Sequence, residues 1–301
     1  MSSMPGMMRS PTFREPEQDS TGNRAAVSHW HSTLRISGMK SILRLLLVAV
    51  LAGCAPRPAP RVRVVVSTTN IGAIVAAIGG SRVQVATIAP AGICPGHFDI
   101  RPSDVVVASE ARLLLNQGWE QWFPKLLQQA GNSRGVAVTC TTPGNWMVPP
   151  VHLKAAAEVS GLLARVDSAG ATVFASAARS YAARVESIAN EVQGMFRGRA
   201  LPAVIASAQQ SPFLEWLGFR VVATYGRPEE LTARELMELA RVALDSGVGL
   251  VVDNLQSGPD VGKPLAEALG VPRVMLTNFP GTEGYPQTLI ANAMTLRSVL
   301  E

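Results

Sequence analysis

The chain has 301 residues, 47% of them hydrophobic, and a net charge of +5 from 27 Lys/Arg against 22 Asp/Glu. Six of the basic and three of the acidic residues fall in the first 53, so the remainder carries +2, and no concentrated basic face of the kind a nucleic-acid partner requires is present. The roughly 240 residues beyond residue 60 suffice for a large core as one two-lobed unit or two domains.

Residues 1–38 show no periodicity and read as an upstream extension. Met39-Lys40-Ser41-Ile42-Leu43-Arg44, the apolar run Leu45 to Leu51, and Leu51-Ala52-Gly53-Cys54 then form a basic, an apolar and a small-residue segment in the order of an export signal. The apolar run is too short to span a bilayer, which takes about 20 residues. Leu-Ala-Gly-Cys also resembles the bacterial lipobox, which makes Cys54 the expected lipidation site and membrane anchor. Residues 54–60 are a proline-rich tether that would hold a folded part off a membrane. The expected location is a membrane-anchored lipoprotein on the periplasmic or extracellular face.

The folded part begins near Arg61. Arg61 to Thr69 is β-branched and reads as a strand, Ile71 to Ile78 as a helix stopped by Gly79-Gly80, and Val83 to Ile88 as a strand. Pro102 to Glu110 is a short helix, Ala111 to Gln117 a strand, Trp119 to Ala130 a helix, Gly135 to Cys140 a strand, and His152 to Val166 a helix. From Ser168 to Arg197 the chain is alanine-rich with Phe174, Tyr181, Val185 and Val192 at helical spacing, predicting one helix of about 28 residues, roughly 42 Å long. The pattern then restarts. Pro202 to Ser207, Phe219 to Thr224, Gly249 to Leu255 and Arg273 to Thr277 read as strands, with helices at Thr232 to Ser246, Lys263 to Leu269 and Tyr285 to Leu300. Thr232 and Glu235 fit a capping box. Strands alternating with helices predict an α/β protein of two lobes, each a mainly parallel sheet with helices on both faces, joined by one long helix. The expected organisation is 61–167 for the first lobe, 168–198 for the linking helix and 199–301 for the second lobe.

The stretch Cys94-Pro95-Gly96-His97-Phe98-Asp99 carries the most chemistry, because it places metal-ligating atoms in a bent loop after a strand, where an α/β sheet presents its ligands. Four histidines are present, and only His97 and His152 lie beyond the export signal. Cys94 and His97 have chelating spacing, and Cys140 ends a neighbouring strand, so Cys94, His97 and Cys140 form a candidate set for zinc, copper(I) or another thiophilic ion. The same two cysteines could instead be joined as a disulfide in an oxidising compartment. Coordination would weaken in acid, since the ligands must be deprotonated. Trp146, Gln209, Gln210, Asp253 and Asn278 are candidates for contacting a polar solute or a metal chelate. His152 reads as a surface or capping residue, and Trp119, Trp122 and Trp216 as packing residues. An enzymatic reading, with Cys94 as nucleophile, His97 as base and Asp99 as orienter, lacks any oxyanion motif.

His97-Phe-Asp-Ile-Arg-Pro-Ser-Asp104 resembles a His-Thr-Tyr-Glu-Pro-Ser-Pro-Ser-Asp run of the zinc/manganese-binding solute-binding proteins of ABC importers, the cluster A-I type. Leu115 to Trp122 resembles that family's Val-Asn-Gly-Leu-Gly-Leu-Glu-x-Trp segment. Trp146 with Pro149 is similar to its Pro-His-x-Trp-Leu-Asp-Pro segment, and Gly247 to Gln256 to the strand ending Val-Glu-Pro-Gln. The resemblance covers nearly all of the chain after the tether. It implies two α/β lobes with a metal between them, His97 as first metal ligand, Zn2+ or another transition metal as cargo, a monomer, an ABC permease and ATPase as partners, and no covalent chemistry. The matching positions for the other three ligands hold Gly144, the Val204 to Gln210 segment, and Thr277 or Asn278, so most family ligands are absent. A metal-free adhesin or interaction module is the alternative on the same scaffold.

Overall fold

The computed structural model describes residues 61–301. The export segment, Cys54 and the 54–60 tether lie outside them. Among the described residues no helix is long and apolar enough to cross a membrane.

The first half alternates β1 (Val62–Thr68), α1 (Thr69–Gly79), β2 (Val83–Ala89), α2 (Pro102–Ser109), β3 (Leu113–Asn116), α3 (Phe123–Ala130), β4 (Val136–Thr139) and α4 (Pro149–Val166). α5 (Ala171–Gly194) follows. The second half runs β5 (Ala203–Ser207), α6 (Ser211–Leu217), β6 (Arg220–Tyr225), α7 (Ala233–Ser246), β7 (Val248–Asn254), α8 (Lys263–Leu269), β8 (Arg273–Leu276) and α9 (Tyr285–Arg297). Each half builds one four-stranded sheet, in the orders β2-β1-β3-β4 and β6-β5-β7-β8. Every strand pair is parallel. The expected α/β architecture with mainly parallel sheets is the observed one.

The central strands are hydrophobic on both faces because helices cover both faces. Val64, Val65 and Val66 of β1 and Val204, Ile205 and Ala206 of β5 are at most 1% exposed. Each such valine or isoleucine stabilises the fold by roughly 1.5–3 kcal/mol relative to an exposed position. The largest apolar cluster draws on both halves, running from Val66 and Leu115 through Phe174 and Val185 of α5 to Val252 and Leu289. α5 packs on α1, α4 and α9.

Three expectations shift. The long helix is 24 residues, about 36 Å, because a 3-10 turn at Ser168–Gly170 precedes it. Asp167 anchors that turn by accepting from Gly170 N at 3.2 Å while pairing with Arg82 at 2.8 and 2.9 Å. α3 starts at Phe123 instead of Trp119, because Gly118 adopts φ +89° and the buried Glu120 carboxylate accepts from Gln117 N, which leaves 117–122 as a turn. α6 was not anticipated. Its seven residues are too few for a periodic signal, although Pro212 near its start and left-handed Gly218 at its end mark both boundaries.

Candidate functional site

In a sheet of order 2-1-3-4 the connections leave β1 in opposite directions, and a crevice opens beyond the carboxyl ends of β1 and β3. The second sheet repeats this between β5 and β7. A cleft of about 650 Å³ is lined from both crevices. Asn70 and Gln117 come from just past β1 and β3, and Ala208, Gln209, Asn254 and Gln256 from the ends of β5 and β7.

The Cys94–His97 loop forms one wall. Trp122 Nε1 donates to Pro95 O at 2.7 Å, and the Trp122 ring packs 5.0 Å from Phe98, so a buried indole holds the loop in place. Cys94 is half-buried and lines the cleft, and His97 stands at its mouth with 62% of its side chain exposed. Arg227, from the loop after β6, crosses to this wall. Its Nη1 lies 3.3 Å from His97 Nε2, and Glu229 Oε1 lies 3.6 Å from the same nitrogen. A Cβ on Gly96 would come within 2.6 Å of Arg227 Nη2, so the guanidinium depends on a residue without a side chain at 96.

Carboxamides join the halves across the cleft floor. Asn145 Nδ2 donates to Gln209 O at 2.6 Å and to Asn278 Oδ1 at 2.9 Å. Asn70 Nδ2 donates to Asn278 O at 3.2 Å, and Gln256 Nε2 to Ala91 O at 2.6 Å. Asn70 is 3% exposed, and its Oδ1 has no hydrogen-bond partner. Trp119 and Phe279 face one another at 6.4 Å.

Trp146, Gln209 and Asn278 line the cleft alongside Cys94 and His97. Three other candidates do not, the first being Gln210, which is fully buried and donates from Nε2 to Asn254 Oδ1 at 2.8 Å. Cys140 is 5% exposed inside the main apolar cluster, and burial, with Glu158 and Glu120 nearby, pushes its thiol up to about 12. Cys94 and Cys140 are not joined as a disulfide, and Cys140 does not converge with Cys94 and His97 in the cleft. Asp253 is completely buried, accepting from Tyr225 OH at 2.6 Å, Gly262 N at 2.8 Å and Arg273 Nη1 at 2.6 Å. It braces the second sheet. His152 is no surface cap either, being fully buried between Trp146 O at 3.1 Å and Tyr181 OH at 2.8 Å. Trp122 packs as expected, whereas Trp119 is 44% exposed on the cleft. Asn70, Gln117, Asn145, Gln256 and Arg227 were not anticipated. For Asn70, Gln117 and Gln256 the available signal was a polar residue immediately after an apolar strand. His97 N donates to Cys94 O at 3.1 Å, but no hydrogen bond joins the Cys94 thiol to the His97 ring, as a nucleophile and base would require.

The donor set is unusual for a divalent cation. Zinc takes three or four ligands from Cys, His and carboxylate. Among the described residues no three His, Cys, Asp or Glu side chains converge in such an arrangement. The lining offers one imidazole, one thiol, one guanidinium and eight carboxamides, with no Asp or Glu.

The family model for the periplasmic zinc-uptake complex component A, ZnuA, matches residues 64–299. Among solved structures, a ZnuA crystal structure is similar at 18% identity and TM-score 0.70, over 80% of this chain and 100% of that one. The solute-binding protein FpvC of P. aeruginosa, solved with Ni2+, is similar at 15% identity and TM-score 0.69, over 80% and 97%. The laminin-binding protein Lmb of Streptococcus agalactiae, described as having adhesin and metal-transporting activity, is similar at 18% identity and TM-score 0.69, over 80% and 100%. At these identities the structures establish a shared fold, and the family match over most of the chain establishes more: it belongs to the ZnuA family of metal-binding solute-binding proteins that serve ABC importers.

Proposed function

We propose that the chain is an extracytoplasmic lipoprotein, anchored through Cys54, that captures a transition metal in the cleft, as a zinc-like ion or a metal chelate, and delivers it to an ABC permease and its ATPase. The observation that carries the reading is the position of the cleft at the switch points of both sheets, with the Cys94–His97 loop as one wall. His97 and Cys94 are the proposed metal-contacting side chains. Trp146, Gln209 and Asn278 are the proposed contacts to the rest of the cargo. Family membership and the metal named for the similar FpvC structure support metal as the cargo class.

Equilibrium dialysis of the purified protein against Zn2+ and Ni2+, each alone and with a small chelator, followed by elemental analysis, tests the cargo. One equivalent of metal is expected in at least one condition, reduced in His97→Ala with an unchanged circular dichroism spectrum. Retention of no metal under every condition would overturn the reading. The anchor is tested separately by fractionation: the protein is expected in the membrane fraction and Cys54→Ser in the soluble one.

A further inference from the structure

A cleft built for a bare divalent cation would be small and negative, and this one is neither. Its volume of about 650 Å³ falls in the range of small-molecule sites. It equals about twenty waters of liquid volume, far more than a cation with a few ligands fills.

The charge argues in the same direction. No carboxylate is among the lining residues, although Glu229 stands at the mouth 3.6 Å from His97 Nε2, and the one guanidinium in the lining, that of Arg227, makes no ion pair within 4.0 Å among the described residues. A half-buried guanidinium without an ion-pair partner attracts an oxyanion, for which its planar fork of donors is suited. It also stands 3.3 Å from His97 Nε2, in the way of a metal bound through that nitrogen. On the floor the buried Asn70 Oδ1 is an acceptor without a donor. Buried polar atoms are ordinarily satisfied, so this oxygen points to a ligand hydroxyl or N–H.

Resting on the proposed role as a metal receptor, we infer that the cargo is an anionic chelate, in which the metal travels inside a small polyoxyanion bearing at least one O–H or N–H donor. Arg227 binds an anionic oxygen of the chelator, Asn70 Oδ1 accepts from its donor group, and Trp119 and Phe279 cover its carbon skeleton. The chelator supplies the negative ligands that the lining lacks. This accounts for a cleft in a metal-importer family whose lining holds one imidazole, one thiol, one guanidinium and eight carboxamides but no carboxylate.

The test is isothermal titration of the purified protein with three probes: zinc chloride, citrate, and the zinc–citrate complex, citrate being a polycarboxylate with one hydroxyl. Zinc–citrate is expected to bind at least about tenfold more tightly than either component alone. Arg227→Ala is expected to weaken the complex roughly 10- to 100-fold, as the loss of a charged hydrogen bond does, without weakening zinc alone. Arg227→Lys should recover part of the loss, and a thermal midpoint matching the parent's checks that each variant is folded. Zinc chloride binding as tightly as the complex, or an Arg227→Ala variant with unchanged preference, overturns the inference and leaves the metal-receptor reading standing. Citrate binding equally with and without zinc overturns that reading while keeping the anion site. Failure of all three probes overturns the chelate inference.

Discussion

The imidazole of His152 lies flat on the ring of Tyr285, with centroids 3.5 Å apart and planes within 10°. This stack fastens α4 of the first half to α9 of the second, and the Tyr285 hydroxyl completes the joint by donating to Met147 O at 3.0 Å. Burial holds the imidazole neutral, lowering its pKa from 6.5 to about 3. In the unfolded chain the same ring takes up a proton below pH 6.5. The folded state is therefore fully favoured above that value and loses stability as pH falls toward 3, by up to about 1.4 kcal/mol per pH unit. Urea midpoints measured between pH 7.5 and 4.5 should fall with this slope, and His152→Gln should flatten it. The half-buried carboxylates Glu158 and Asp167, held low by Thr142 and Thr141 and by Arg82 respectively, add their own losses only further into acid. Parallel profiles for parent and variant would show that the ring is not the source.

Asp253 is predicted to matter for folding and not for cargo. Replacing it with Ala would take the acceptor from Gly262 N and remove one partner each from Tyr225, which keeps Val252 O at 3.0 Å, and Arg273, which keeps Pro259 O at 2.6 Å and Asp260 at 3.2 Å. Because Arg273 remains partly exposed and paired with Asp260, the loss is that of hydrogen bonds to a buried charged acceptor, roughly 1.5–3 kcal/mol. Chemical denaturation of Asp253→Ala should show a loss of that size, while zinc–citrate titration of the folded fraction should match the parent. A stable variant with impaired binding would place Asp253 back in the site.

How much of this could be read in the sequence depended on the kind of signal. Strands such as Val62–Thr68 and Val248–Asn254 are short valine-rich segments between turn residues, and long helices repeat their apolar face several times, so element order and the parallel α/β class were legible. The Thr232 capping box formed as expected, with Glu235 N donating to Thr232 Oγ1 at 3.3 Å and Thr232 N to Glu235 Oε2 at 2.7 Å. Short-range pattern also led to the Cys94–His97 wall. It could not say that the side chain of Cys140 turns into the core, because one position past a strand end either face is available. Nor could it find Arg227, which reaches His97 from 130 residues away by folding alone.

The two thiols should behave oppositely. Cys94 is accessible in the cleft wall, whereas Cys140 is buried and its thiol is pushed up to about 12, leaving almost no nucleophilic thiolate at neutral pH. Brief iodoacetamide treatment of the native protein at pH 8, followed by peptide mass spectrometry, should mark Cys94 and spare Cys140 until urea is added. Comparable labelling of both in the absence of urea would mean that Cys140 is not sealed in the core.

Gly96 offers a way to disturb the guanidinium without touching a charged residue. A methyl group there would stand 2.6 Å from Arg227 Nη2 and 3.3 Å from its Cζ, and what must yield is the far end of a flexible side chain, not backbone. Gly96→Ala should accordingly change stability by no more than about 0.5 kcal/mol, as for a surface substitution. The displaced guanidinium would lose its approach to His97 and to an anion in the cleft. Zinc–citrate affinity is then expected to fall roughly tenfold, equivalent to about 1.4 kcal/mol, while zinc chloride binding stays level or improves as the positive charge moves off. The double variant Gly96→Ala with Arg227→Ala should bind the complex no more weakly than Arg227→Ala alone, since both act on one group. Additive losses would mean that the loop itself, and not the arginine it seats, contacts the cargo.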